Sequence, residues 1–296
     1  MAPVGETTTD ALADSLPSLR QSARRIQEYK GVMTQLCDRQ RLGEGMGNTW
    51  NEVSLSKLTA MAITETTHED NPQQLTDSIL SITPSVISVH TVVTDRTERN
   101  IAKIVWARTG PLGQNAIERK KDEDGLTSLD GFSDSQPGAA STLTSGHVAA
   151  GAFRIKGNTT EPWDGPVAVV LHSFQIKDLF DELVAGVGTY PVPAGSTADV
   201  FKGGWSLPIA GATVFTDDNL GAFIDTGDDV KGGMFASGRG GALILCQARE
   251  PWMKRVRDEK FAGGATELLH RDEYAYAERT DVWGRELFSD ATAPTS

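Results

Sequence analysis

The period of the apolar positions changes along the chain. Leu19, Ala23, Ile26, Met33 and Cys37 recur at three- and four-residue spacing, with Leu36 alongside, and the run stops at Gly43. That spacing predicts an amphipathic helix. From Asn51 to Asp95 the sequence turns extended and rich in Thr, Ile and Val on both sides of the polar stretch "THEDNPQQ", which predicts a long hairpin. Thr97 to Asp124 reads as helix, with Ile101, Ile104, Val105 and Leu112 toward a core and Gly110-Pro111 expected to kink or break it.

Beyond a Gly- and Ser-rich passage, "TSGHVAAGAFRI" predicts a short helix, "GPVAVVLH" a buried strand, and "SFQIKDLFDELV" a helix. Ser173 is placed to cap that helix, with Ile176, Leu179, Phe180 and Leu183 on one face. A loop-rich stretch, "GTYPVPAGSTADVFKGGWSLP", leads to the strands "IAGATVFT" and "GGALILCQA". After Arg249 the chain is extended and aromatic-bearing. In "LLHRDEYAYAE" a period of two puts His270, Asp272, Tyr274 and Tyr276 on one side and Leu269, Arg271, Glu273, Ala275 and Ala277 on the other. Helices and strands mix without regular alternation or internal repeat, so the class is α+β.

The hairpin poses a physical problem. A two-stranded ribbon is marginal alone and leaves its edges unpaired. Its first arm carries Leu55, Met61 and Ile63 on one face and Leu58, Ala60 and Ala62 on the other, so a single covering layer would leave apolar surface wet. An ordinary intramolecular sheet is the plainer account; burial by another copy of the chain is the alternative.

Composition narrows the function. With 296 residues and a 39% apolar fraction the chain has enough for a buried core. It shows neither a signal-peptide pattern at "MAPVGETTTDALADS" nor 18 consecutive apolar residues, so no membrane partner is expected. Cys37 and Cys246 fit no zinc or redox spacing, and reduced thiols in a cytoplasmic setting are expected. The net charge of -12 and pI near 4.9 argue against a nucleic-acid binder as a whole. Between Ser15 and Leu42, however, Arg20, Arg24, Arg25, Lys30, Arg39 and Arg41 face only Glu28 and Asp38, which makes a local basic arm.

Catalytic signatures fail on inspection. His270-Arg271-Asp272 opens like a kinase catalytic loop, but the position five beyond Asp272 is Ala277, where that loop needs Asn for magnesium. "GEGMGN" and "GRGGA" lack the strand-to-helix setting of a phosphate cradle. "TDDNLGAFIDTGDD" does not match the calcium-loop spacing and reads as a solvated loop. The five histidines form no zinc pair, and neither Ser145 nor Ser237 sits in a Gly-x-Ser-x-Gly elbow. No cofactor, metal or enzyme activity is expected, although a hydrolase triad assembled from distant residues stays open.

The order of elements, with "DGLTSLDGF", "TLTSGHVAAGAFRI", "GPVAVVLHSFQIKDLFDEL", "IAGATVFTDDNL" and "YAYAERTDVWGRELFSDAT" in sequence over roughly residues 50 to 296, resembles the major capsid protein of tailed bacteriophages with the HK97-type fold. The resemblance implies an N-terminal arm over 1–48, an extended hairpin loop over 49–93 and a peripheral domain with its spine helix over 94–126. An axial domain over 127–243 and peripheral-domain C-terminal strands over 244–296 complete it. Hexamers and pentamers of the chain would tile an icosahedral virion shell that is assembled in the bacterial cytoplasm and holds packaged double-stranded DNA without sequence-specific binding, with a portal protein and possible decoration proteins as partners.

Subunit contacts would then fall to Trp50, Leu55, Lys57, Met61 and Ile63 of the hairpin, to Tyr274 and Tyr276 in packing or contact roles, and to Arg20, Arg24 and Arg25, which are expected to bridge to a neighbour's acidic patches rather than to DNA. Some members weld subunits by a Lys-to-Asn isopeptide bond; Lys57 is a possible donor, but no Asn follows Asn219, so a non-covalent shell is expected. Fewer than 50 residues precede the hairpin, which implies a separate scaffolding protein. An encapsulin-type nanocompartment of the same fold, loading an enzyme cargo, is the alternative in kind.

Overall fold

A one-turn helix and a short strand open the described chain, which comprises residues 30–65, 72–100, 103–138, 141–184, 208–223, 229–260 and 263–291 of a computed structural model. The helix, α1, spans Met33–Leu36, and the strand, β1, spans Asp38–Arg41. The apolar spacing had predicted one helix running on to Gly43. Instead β1 pairs in parallel with residues 244–247, and a sheet ladder satisfies its backbone groups. Leu19, Ala23 and Ile26, with the basic Arg20, Arg24 and Arg25, lie outside the described residues.

The hairpin follows as β2 (Trp50–Leu55) and β3 (Asp77–Ile82). Then come β4 (Ser85–Thr94), α2 (Asp95–Asn100) and the long α3 (Lys103–Thr127). The expected break at Gly110-Pro111 does not occur. Proline forfeits the bond its missing N–H would make and crowds the carbonyl four residues earlier, but packing holds the downstream half of α3, where Ile117, Asp122 and Leu126 are buried. Leu112, expected in the core, stands exposed, and the side chains of Ile101, Ile104 and Val105 lie outside the described residues.

After α3 come β5 (Ser135–Gly138), α4 (Ser145–Lys156), β6 (Val167–Leu171), α5 (Ser173–Val184), β7 (Ala212–Thr216), β8 (Asp229–Ala236), β9 (Leu243–Asp258), β10 (Ala265–Glu278) and β11 (Gly284–Asp290). One sheet has the order β1-β9-β10-β4 and the other β5-β11-β8-β6-β7, with β2-β3 standing apart as a pair. Two expected boundaries therefore move. Residues 85–94, read as the returning arm of the hairpin, are an edge strand on β10. β11, expected among the strands that complete the peripheral domain, joins β5 and β8 in the other sheet.

Helix caps show why the compact region folds locally as it does. Thr144 and His147 form a capping box at the start of α4. At α5 the cap is His172 rather than Ser173: His172 Nδ1 accepts from the Phe174 amide at 3.2 Å, and Gln175 Oε1 accepts from the His172 amide at 3.3 Å. Buried Gln175 also donates to the Leu287 carbonyl at 2.9 Å, joining α5 to β11. One continuous core, including Met33, Leu126, Val169, Phe235, Leu245 and Leu287, runs under both large sheets.

Candidate subunit-contact surface

In the hairpin, β2 and β3 pair antiparallel from Trp50 with Ile82 to Leu55 with Asp77. The register puts Trp50, Glu52, Leu80 and Ile82 on the face turned to the body and Val53, Leu55 and Ile79 on the other. Leu55 is 71% exposed, Met61 58% and Ile63 60%. Val53, Leu58, Leu75 and Ile79 are exposed as well, so most of the large apolar side chains left in solvent among the described residues belong to this one element. Outside the strand pair, backbone and polar side chains hold the arms together: Ser56 N donates to Thr76 O at 2.8 Å, and Gln73 bonds both the amide and the carbonyl of Thr59.

The root of the hairpin combines two kinds of contact. Ile82 and Leu42 are buried against Ile244 and Cys246, with Trp50, Leu80, Ala248, Ala275 and Ala277 packed around them. Beside this patch Arg279, just past β10, donates from Nε to Glu52 of β2 at 3.0 Å and from Nη2 to Asp38 of β1 at 2.8 Å. Its Nη1 donates to the Gly241 carbonyl in the turn between β8 and β9 at 2.5 Å. Burial works against an ionised Asp38, but bonds from Arg279, Gln40 and the Gly240 amide outweigh it and hold its carboxyl below the usual range.

The His-Arg-Asp strand is β10, and its alternation is as the sequence predicts. Leu268, His270, Asp272 and Tyr274 are buried and face inward, while Leu269, Arg271 and Glu273 are partly exposed. Asp272 is fully engaged: Oδ2 takes Lys121 Nζ at 2.9 Å, and Oδ1 takes Gln247 Nε2 at 3.1 Å and the Glu273 amide at 2.8 Å. Such a carboxylate is a structural partner of α3, already committed to a buried ion pair. Two glycines let α3 lie this close. A Cβ at Gly113 would stand 2.5 Å from the His270 ring, and one at Gly125 would stand 2.8 Å from Met33 Cβ and 3.0 Å from the Tyr276 ring.

Tyr274 donates to Asp124 Oδ2 at 2.9 Å, and burial followed by the Asp124 bond pushes its hydroxyl above the usual tyrosine range. A cavity of 690 Å³ lies at the β9–β10 bulge, where Trp252 stacks under Arg249, and His270 lines it together with Gln114 and Ile117 of α3. Asp272 faces it with both oxygens occupied.

Asp217, read as part of a solvated loop, is buried. Its Oδ2 accepts from the Val32 amide at 3.0 Å and its Oδ1 from the Asn219 amide at 3.0 Å. Asp122 of α3 accepts from the Met33 amide at 3.0 Å and from Asn219 Nδ2 at 2.8 Å. Two carboxylates thus seat the start of α1 on α3. Burial first, then the charge of Asp122 and a hydrogen bond with it, push the Asp217 carboxyl up to about 7.

No protein-family model matches the sequence, and no curated protein does. Solved structures do. The head structure of Helicobacter pylori bacteriophage KHP40 superposes at a TM-score of 0.70 and 12% identity, covering 98% of this chain and 99% of that one. A capsid asymmetric unit of cyanophage Pam1 gives 0.70 at 11% identity, with 99% and 100% covered. The capsid of a native GTA particle gives 0.64 at 9% identity, with 96% and 99% covered. The chain has the HK97-type capsid fold.

Within this capsid fold the residues singled out from sequence separate into three groups. Leu55, Lys57, Met61 and Ile63 share the exposed hairpin. Trp50 packs at its root, and Tyr274 and Tyr276 pack inside the chain, their rings edge to face with centroids 6.0 Å apart. Arg20, Arg24 and Arg25 lie outside the described residues. Arg279, Asp122 and Asp217 escaped the sequence reading. Each acts through partners distant in sequence, and Arg279 follows an alternating strand with no motif around it.

Proposed function

We propose that this chain is the major capsid protein of a tailed double-stranded DNA phage, forming hexamers and pentamers of an icosahedral head held without covalent cross-links. The observation that carries the reading is the hairpin: an apolar ribbon left uncovered among the described residues calls for burial by another molecule. A second copy satisfies that need repeatedly, because a head-to-tail contact propagates until rotation closes a ring. In this reading α3 is the spine of a peripheral domain built on the β1-β9-β10-β4 sheet, and the other sheet with α4 and α5 is the axial domain.

A structural role for the chain, rather than a catalytic one, belongs to this proposal and is supported by the likeness to capsid structures. A scaffolding partner during assembly in the host cytoplasm, a portal and packaged DNA belong to the same proposal. Negative-stain microscopy with light scattering on the purified chain, alone and co-expressed with the scaffold from its gene cluster, tests it. Closed shells, tubes or rings of five or six are expected. A chain that stays monomeric or dimeric under both conditions overturns the reading and returns attention to the cavity beside His270.

A further inference from the structure

We infer that Arg279 is the positioning residue that fixes the direction in which the hairpin leaves the body. The inference rests on the hairpin's being an assembly element and names what sets its angle. The apolar part of the root has little directional character. Ala248, Ala275 and Ala277 offer a low floor of methyl groups under Trp50, Leu80 and Ile82, and contacts of this kind tolerate sliding because dispersion and burial are non-directional. The guanidinium is the opposite: a rigid planar fork whose donors must all be aimed.

Arg279 spends that fork on three segments at once. Nε faces both Glu52 oxygens at 3.0 Å, Nη2 reaches Asp38 at 2.8 Å and Nη1 the Gly241 carbonyl at 2.5 Å. Asp38 and Gly241 belong to the body, the one in β1 and the other in the turn entering β9, whereas Glu52 belongs to the hairpin. The arginine is itself tied down, since its backbone amide donates to the Ala242 carbonyl at 2.7 Å. With two donors fixed to the body, the third leaves β2 one orientation that keeps the Glu52 bond. Glu52 is the middle of the β2 face turned inward, between Trp50 and Ser54, where a lateral pull rotates the whole ribbon.

Glu52→Ala is the decisive variant, because it frees the hairpin while leaving Arg279 its partners in the body; Arg279→Ala would strand Asp38 and endanger the fold. Hydrogen exchange on the unassembled chain reads the root directly. Amides of 51–55 and 77–81 are expected to exchange at least about tenfold faster in Glu52→Ala, at unchanged Tm, the loss corresponding to a charge-assisted bond. Glu52→Gln, which keeps an acceptor, should recover part of the protection. Where the wild type forms shells, Glu52→Ala should give open or mis-sized ones, since an error in projection angle accumulates around a ring.

Unchanged exchange at 51–55 and 77–81 in Glu52→Ala overturns the inference. So do equal rates in the Ala and Gln variants, and so do wild-type-sized shells from Glu52→Ala. A wild type that never assembles overturns the proposed function instead, while the exchange arm still decides the role of Arg279.

Discussion

Two extended segments of this chain carry apolar side chains in comparable density and meet opposite fates. On β10, the inward face from Leu268 to Tyr274 is covered by α3, which two glycines bring into contact. On the hairpin, Val53, Leu55 and Ile79 point outward with no helix over them among the described residues, and Leu58, Met61 and Ile63 continue the exposed run. Alternation fixes which face must be buried. It does not say which molecule buries it, and the difference between the two segments is the difference between a core and an interface.

The contrast is broken most severely at the hairpin. Leu55→Asp with Ile79→Asp should abolish shells, rings and tubes in negative stain. The thermal midpoint of the unassembled chain should stay put, because both side chains are already in water there. Each buried aliphatic side chain is worth about 1.5–3 kcal/mol, and every copy in a shell would lose two. A variant that lowers Tm sharply would show that the ribbon is covered within its own chain.

On β10 the order of losses should reverse. Lys121→Ala leaves Asp272 buried without its cation, at a cost of about 3–5 kcal/mol, read as a drop in the urea midpoint of the unassembled chain; any assembly defect is secondary. Gly125→Ala is milder, since the new methyl must displace Met33 or the Tyr276 ring, and about 1–3 kcal/mol is expected from overpacking. The same urea titration checks it, with an unchanged m-value as the sign that the native state is otherwise intact.

These particulars also show what was legible beforehand. The strand reading of "HRDEYAYA", the helix at Ser145–Lys156 and the buried "VAVVL" strand follow from period and composition, because each is decided by neighbours a few residues away. The cap of α5 was missed by one residue, but the larger failures are non-local. Asp38–Arg41 is a strand because β9 lies beside it, Pro111 is tolerated because packing holds α3 downstream of it, and β11 changes sheets because β8 and β5 receive it. For the candidate surface, apolar Leu55, Met61 and Ile63 announced themselves. Arg279 and the Asp122–Asp217 pair did not, since a charged residue reveals nothing of its partner until the fold places them together.

The smallest expected effect sharpens the comparison at a third place, where carboxylates join apolar burial of Met33 and Cys37 in seating the chain from Gly31 onward. Asp217 titrates near 7 in the folded chain against 3.8 when free. Between those values the folded state holds a proton that the unfolded chain has released. Its contribution to stability is therefore full below about pH 4, declines as pH rises toward 7 and is gone above it. Among the described residues around the pair, Lys121 is committed to Asp272, His172 stands 3.7 Å from Asp218, and buried Cys37 and half-buried Tyr276 are held neutral. Asp217→Asn keeps one acceptor, for the Val32 amide, gives up the acceptor of the Asn219 amide, and gains an N–H₂ that can donate to Asp122 with no charge to remove. The lost bond costs the same at every pH, so relative to the wild type the variant should be about 1–3 kcal/mol more favourable at pH 8 than at pH 5, measured as the difference in urea midpoints between the two pH values. The subtraction cancels every other titrating group the two chains share. A difference of the same size at both pH values would mean that the pair is ionised throughout, and that its part in holding the N-terminal segment lies in the hydrogen bonds to Val32, Met33 and Asn219, beside the apolar burial of Met33.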